Sequence, residues 1–444
     1  MKKLPMHRYC LHPDTVLRPE PDGALWFHRR SAETLELDCR GLEELLRLLA
    51  GRPTFGWRAW NFRNLLRARG FVRLTQGDDG NREDLVLVRD CLARAGDLGV
   101  PLRSRSAPEV LHISLTDACS QRCSGCFFSN REPGIRPNRY LAFARFERIV
   151  AVAARYRVFQ LALGGGEPLM HPQLEALVAH GTRAGLVVNL TSSGALLSRA
   201  KALALKAAGL GQLQLSLNGA TAASHGLTRP GFEAVLAAMG HCRDTSLRFG
   251  LNLLVTRQNL DELEAMLSLA RAQGAWSVNL LRPKPSPEEP DWLEQTLPDS
   301  AGNHRLQQII RRWQKKAPFL LQTDTSLTFL RQGRVEELAA AGLGGCSAGR
   351  RMLSIGVDGR VSPCGHIPMY DETEDDEDFM SAWRTSPHLE RFRRLEESLK
   401  GACASCELKA VCRGCRAIVW AQSGDFDGED LQCPKRLPIS SWPS

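Results

Sequence analysis

Val110-Leu-His-Ile-Ser-Leu115 and, just beyond it, Cys119-Ser-Gln-Arg-Cys123-Ser-Gly-Cys126-Phe127 decide how this chain is read. The short apolar run reads as a strand. Three cysteines, spaced Cys-x3-Cys-x2-Cys, follow it on one loop. Iron–sulfur cubanes are held by thiolates, normally four of them. Three thiolates on one tight loop leave one iron open. A zinc loop is the alternative, but zinc sites usually close with four ligands in paired Cys-x2-Cys knuckles.

Outward from that loop, strand and helix patterns alternate. Candidate strands cover residues 110–115, 159–163, 186–190, 212–217, 248–255 and 277–281, with helical patterns between them, for example at 142–156, 173–184 and 260–273. Six such units predict an α/β fold with a parallel sheet and active residues at the C-terminal ends of its strands. The cysteine loop follows the first strand, as that rule requires. Gly164-Gly165-Gly166-Glu167-Pro168 ends the second strand, where glycines let backbone approach a ligand and Glu167 supplies an acceptor. Thr191-Ser192-Ser193-Gly194 follows the third, and Ser216-Leu217-Asn218-Gly219 the fourth. Arg229 sits in Thr-Arg-Pro-Gly-Phe shortly after.

The three-cysteine loop with Phe127 behind it, joined about forty residues on by the Gly164–Pro168 turn, resembles the radical S-adenosylmethionine enzymes. The resemblance implies a partial (β/α)6 TIM-like barrel and a [4Fe–4S] cluster on Cys119, Cys123 and Cys126. The open iron would chelate the amino and carboxylate groups of S-adenosylmethionine. Gly165, Gly166, Glu167 and Pro168 match the family's Gly-Gly-Glu-Pro motif, and Glu167 would accept from the methionine ammonium. Ser193 lies where the family often has Thr-Asn-Gly, and Ser216 and Asn218 where it usually has Ser-x-Asp-Gly. Ser193 would border the cofactor, Ser216 and Asn218 would bond ribose hydroxyls or the methionine carboxylate, and Arg229 would also pair with that carboxylate. A plain turn or capping role is the alternative for each.

Cys346 and Cys364, then Cys403-x2-Cys406-x5-Cys412-x2-Cys415, and finally Cys433, form a second group. It resembles the SPASM extension of radical enzymes that modify peptides, which holds up to two auxiliary [4Fe–4S] clusters. The resemblance gives Cys403, Cys406, Cys412 and Cys433 to one cluster, and Cys346, Cys364 and Cys415 to the other. Two residues separate Cys412 from Cys415, where the family usually has three. No cysteine lies between Cys242 and Cys346, so an open iron is expected on the three-cysteine cluster. A substrate thiolate or amide, or His366, would fill it. A zinc ribbon is the alternative here. The other cysteines, Cys10, Cys39, Cys91 and Cys242, are expected to be buried packing thiols.

Residues 1–75 read as a separate unit, with strands at 15–18, 24–28 and 34–39 and helices at 41–50 and 57–69. This winged-helix-like order resembles leader-peptide recognition domains, in which a peptide adds as a strand to an open sheet edge. A structural cap is the alternative. Residues 76–108 read as a helix and linker, 109–300 as the barrel, and 301–444 as a bridging region and Cys-rich iron–sulfur domain. Residues 284–298 read as a joining loop, and the acidic run 371–378 as a solvated one.

Together the resemblances imply a radical maturase. It would abstract hydrogen from a ribosomally made precursor peptide, held through the N-terminal domain, and form a cross-link or other oxidative modification. A flavodoxin- or ferredoxin-type donor would supply electrons. A sulfatase-type maturase making formylglycine and a non-catalytic iron–sulfur electron carrier are the alternatives. The 444 residues are 43% hydrophobic and 24% charged, ordinary for a globular protein. There is no run of eighteen apolar residues and no apolar stretch behind Lys2 and Lys3, so neither a spanning helix nor a secretory signal is expected. The cytoplasm is the expected location, where clustered cysteines bind metal rather than pair. A net charge of +9 is spread along the chain without a basic tract interleaved with aromatics, so nucleic acid is not the expected partner.

Overall fold

The computed structural model describes residues 7–52, 55–76, 81–96, 104–128, 139–340, 342–367, 369–371, 378–433 and 435. The chain divides into two compact units, residues 1–109 with 153–159, and residues 110–152 with 160–444.

In the first unit β1 (His7–Leu11) precedes an antiparallel sheet of β2 (Thr15–Glu20), β3 (Gly23–His28) and β4 (Glu33–Asp38), in that order. Gly23 lets β3 approach β4 closely, since a Cβ there would meet Leu37 O at 1.9 Å. The Asp38 carboxylate accepts from Gly41 N and caps α1 (Cys39–Leu49), which buries Leu42, Leu45, Leu48 and Leu49. Then come α2 (Trp57–Ala68), β5 (Val72–Gln76), which pairs antiparallel with β1, and α3 (Asn81–Arg94). Val88 and Cys91 of α3 enter the same core as Trp26, Leu45 and Phe71. The helix expected in a linker is therefore part of the unit's packing.

The second unit is built on one nine-stranded sheet. Its strands are β6 (Val110–Thr116), β7 (Gln160–Gly165), β8 (Val187–Ser192), β9 (Gln212–Leu217), β10 (Phe249–Leu254), β11 (Ser277–Leu281), β12 (Leu320–Thr323), β13 (Met352–Ile355) and β14 (Val361–Ser362). The order is β12-β11-β10-β9-β8-β7-β6-β13-β14. β6 through β12 pair in parallel, β13 is parallel to β6, and only β14 is antiparallel. The two ends are not paired, so the sheet is an open, partial barrel. Along each strand leucine-rich positions such as Leu161, Leu163, Leu213 and Leu215 are buried, while Ala162, Gln214 and Ser216 point to the other face, as strand geometry dictates.

The six expected strands are present, and β12 and β13 lengthen the sheet beyond them. Each has four residues, too short for alternation to register. Residues 284–298 are not simply a loop, because a helix at Trp292–Thr296 buries Trp292 and Leu293. Cys10, Cys91 and Cys242 are buried, but Cys39 is exposed at the start of α1. The acidic run lies mostly outside the described residues. Among the described residues no helix is long and apolar enough to cross a membrane.

Candidate cluster and cofactor site

The loop after β6 carries Cys119, Cys123 and Cys126, all half-buried. Its shape is set by bonds within the loop and to its neighbours. Cys119 Sγ accepts from Gln121 N at 3.4 Å, Gln121 Nε2 donates to Pro230 O at 3.3 Å, and Ser124 N to Thr228 O at 2.9 Å. Gly125, at φ +65°, donates to Glu289 Oε1 at 2.8 Å. The Trp292 indole lies against it, its own Nε1–H buried without a partner. Neither Glu289 nor Trp292 could be found from sequence, because a Pro- and Glu-rich stretch shows no periodicity. Phe127 follows the loop with its ring 4.0 Å from that of His366.

The glycine turn is clamped onto the same loop. Gly166 N donates to Thr116 O and Glu167 N to Ala118 O, both at 2.8 Å. A Cβ at Gly165 would meet Thr116 O at 2.4 Å and one at Gly166 would meet Ala118 O at 2.2 Å, whereas Gly164 faces open space. Two of the three glycines thus serve contact within the chain, and Gly164 alone leaves room beside the strand end. Glu167 is buried and fully engaged. Its oxygens accept from Ser192 Oγ (2.7 Å), Ser193 N (2.9 Å), Ser193 Oγ and Leu169 N (3.1 Å). Pro168 opens the short helical turn that Glu167 caps.

Ser216 ends an inward-facing row on β9. Asn218 is buried in its own turn, where Nδ2 donates to Thr228 Oγ1 at 2.8 Å and the backbone N–H to His225 Nδ1 at 3.2 Å. Burial pushes the His225 imidazole down to about 4. Arg229 lies next to Thr228 and Pro230, which hold the cysteine loop, and its Nε–H is buried with no partner. An unpartnered guanidinium N–H beside a cysteine loop suits a carboxylate ligand.

The later cysteines gather in two sets. Cys346, Cys364 and Cys415 pack in one core with Ile418; burial and then Cys415 raise the Cys346 thiol, and burial and then Cys346 and Cys415 raise that of Cys364. Burial pushes Cys364 up to about 12. Cys364 Sγ and His366 Nδ1 are 3.2 Å apart. Cys412 is pushed up to about 11 by burial, then by Asp430, Cys403 and Cys406, and Cys433 to about 12 by burial, Asp430 and Cys412. Arg413 and Arg416 flank Cys415 and bury guanidinium N–H groups without partners, while favouring the Cys346 thiolate. Buried cations with spare donors beside converging thiols fit an anionic cluster. Among the described residues no three His, Cys, Asp or Glu side chains are drawn together as for a single metal ion. Arg282 forms a bidentate pair with Asp430, at 2.6 and 2.9 Å, between the two sets.

Comparisons with known proteins agree with this anatomy. Residues 113–270 match the radical SAM superfamily, and residues 346–407 match the SPASM iron–sulfur cluster-binding domain. The AdoMet-dependent heme synthase of Methanosarcina barkeri is 30% identical over 74% of this chain and 97% of its own. Mycofactocin maturase MftC of Mycolicibacterium smegmatis is 29% identical over 74% of this chain and 84% of its own. The fold of Streptococcus suis SuiB, solved with its precursor peptide SuiA, matches with a TM-score of 0.70 at 17% identity, covering 96% of this chain and 100% of that one. With its cysteine loop, glycine turn and parallel sheet in place, the chain belongs to the radical SAM superfamily of enzymes.

Proposed function

We propose that this enzyme is a cytoplasmic maturase of a ribosomally made peptide, and that its N-terminal unit holds the precursor. The observation that carries this is extent. The heme synthase and MftC alignments each span 74% of this chain, whereas the SuiB fold spans 96% of it. The N-terminal unit leaves β4 at the edge of its three-stranded sheet among the described residues, where a peptide can add as a fourth strand. Holding one end of a precursor raises the effective concentration of the other at the barrel.

Cys119, Cys123 and Cys126 hold the radical cluster in this reading. When bound, cluster and S-adenosylmethionine supply a 5′-deoxyadenosyl radical, made by one-electron reductive cleavage, that takes a hydrogen atom from an unactivated carbon. The chain supplies the positioning. Arg229 pairs with the methionine carboxylate, and Gly164 leaves space at the strand end. Glu167 fixes Ser192 and Ser193, and would accept from the ammonium in place of the Ser193 hydroxyl. Ser216 and Asn218 would border the ribose, and Phe127 would border the cofactor beside the cysteine loop. Cys403, Cys406, Cys412 and Cys433 would hold one auxiliary cluster, and Cys346, Cys364 and Cys415 the other, which would supply an acceptor for the substrate's second electron. A small flavodoxin or ferredoxin is the donor.

The test is anaerobic incubation with reductant, S-adenosylmethionine and the short peptide encoded beside this chain, read by mass spectrometry. Loss of two hydrogens that depends on Cys119, Cys123 and Cys126 supports the reading. The identity to the M. barkeri enzyme favours a second one, in which the substrate is a tetrapyrrole. Formation of heme from an added tetrapyrrole precursor, with the peptide untouched, would establish that instead.

A further inference from the structure

α2 is unusual for a helix in a packed unit. Leu66 is its one fully buried residue. Phe55, just before the helix, is 101% exposed, Trp57 76% and Trp60 54%. Trp57, Trp60, Asn64 and Arg67 recur at three- and four-residue intervals and share one face. Large aromatics left in water are costly unless something covers them, and Trp is the residue most enriched at binding hot spots.

Charge says what covers them. Arg52 precedes the aromatics, and Arg58, Arg63 and Arg67 are interleaved with and follow them along the helix. Among the described residues none of the four has a side-chain hydrogen bond or ion pair. Arg69 at the helix end does pair, with Glu33 of β4. The sequence has no Asp or Glu between Glu44 and Asp78. The face is thus cationic and aromatic with no internal counter-charge.

We propose that Phe55 and the outward face of α2 form a docking surface for an acidic segment of the precursor peptide, one in which Asp or Glu residues alternate with large apolar ones. The proposal rests on the reading that the N-terminal unit receives a peptide. It adds the place, α2 as well as the sheet edge, and the chemistry, negative charge with apolar anchors. Single exposed ion pairs are weak, so affinity comes from aromatic burial, while the arginines select sign and speed encounter.

The test uses the full-length chain and two labelled synthetic peptides, one of alternating Glu and Leu or Phe and one with every Glu replaced by Gln, followed by fluorescence anisotropy. The Glu peptide should bind at least tenfold more tightly than the Gln peptide, and added salt should weaken it. R58E/R63E and W57S/W60S should each weaken it tenfold or more; all four positions lie outside the core, and circular dichroism confirms the fold. Equal binding of the two peptides, or binding unmoved by both variants, overturns the proposal. So does tighter binding to phosphatidylglycerol vesicles or polyuridylate, or a dimer that W57S/W60S abolishes. Precursor turnover separates the two ideas. Variants that process the precursor with unchanged KM overturn the α2 site and leave the maturase reading standing. A parent chain that binds the acidic peptide through α2 yet modifies no precursor overturns only that reading.

Discussion

The indole of Trp292 fills the space a side chain at position 125 would need. A Cβ built on Gly125 would lie 1.9 Å from Trp292 Cε2, and Gly125 sits at φ +65° inside the cysteine loop. Trp292 also packs in the core that contains Cys346, Cys364 and Cys415. One indole therefore supports the loop of the first cluster and the walls of a second. Gly125→Ala adds overpacking to a left-handed conformation, together about 2–4 kcal/mol. We expect a lower melting temperature and reduced electron paramagnetic resonance signal from the loop cluster. Trp292→Ala in the same chain should restore part of it. An alanine variant with parental melting and spectrum would show that the loop moves freely past the indole.

Iron content separates the cysteine sets. C119A/C123A/C126A should lower anaerobically reconstituted iron by about four per chain, and C403A/C406A by about four more. The C403A/C406A variant should keep the spectrum assigned to the cluster at Cys346, Cys364 and Cys415. Zinc in place of iron at either set, found by elemental analysis, would contradict the assignment.

How much of this was legible follows from range. The cysteine loop, the glycine turn and six strands are local patterns, and spacing along the chain carries them. Gly165 and Gly166 were legible as special, but their reason, contact with Thr116 O and Ala118 O, is not local. Glu167 reads as a ligand acceptor, yet the folded chain fills its lone pairs with Ser192, Ser193 and Leu169. Trp292, Arg413 and Arg416 matter through partners far away in sequence, and no periodicity marks them. The four-residue strands β12 and β13 are held by the register of β11 and β6, not by their own pattern.

Acid should loosen the turn at Asn218. His225 Nδ1 accepts from Asn218 N, so the fold needs the neutral ring, and its pKa is pushed down to about 4 from an ordinary 6.5. Between those values the unfolded chain binds the proton and the folded chain does not, so stability falls as pH drops from about 6.5 toward 4. Urea midpoints measured from pH 7.5 to 4.5 should decline across that window. His225→Gln, with no titrating ring, should show a shallower decline. Parallel curves for parent and variant would mean that other groups carry the acid sensitivity.

The pair Arg282–Asp430 makes the strongest demand on the iron–sulfur region. Both side chains are buried, and Asp430 also accepts from Cys415 N at 3.3 Å while its carbonyl takes Cys433 N at 2.9 Å. One residue thus ties down cysteines of both later sets, Cys415 through its carboxylate and Cys433 through its backbone carbonyl. Asp430→Ala leaves the Arg282 guanidinium buried without its counter-charge, a change that costs about 3–5 kcal/mol when one partner of such a pair is removed. A buried pair replaced whole costs far less, because no charge is stranded. Arg282→Met with Asp430→Leu should therefore recover most of the denaturation midpoint lost in Asp430→Ala. The double variant should nevertheless bind less iron than the parent, since the acceptor for Cys415 N is gone. Full iron in the double variant would show that the carboxylate serves folding alone, and equal instability of single and double variants would show that shape, not charge, is what the pair contributes.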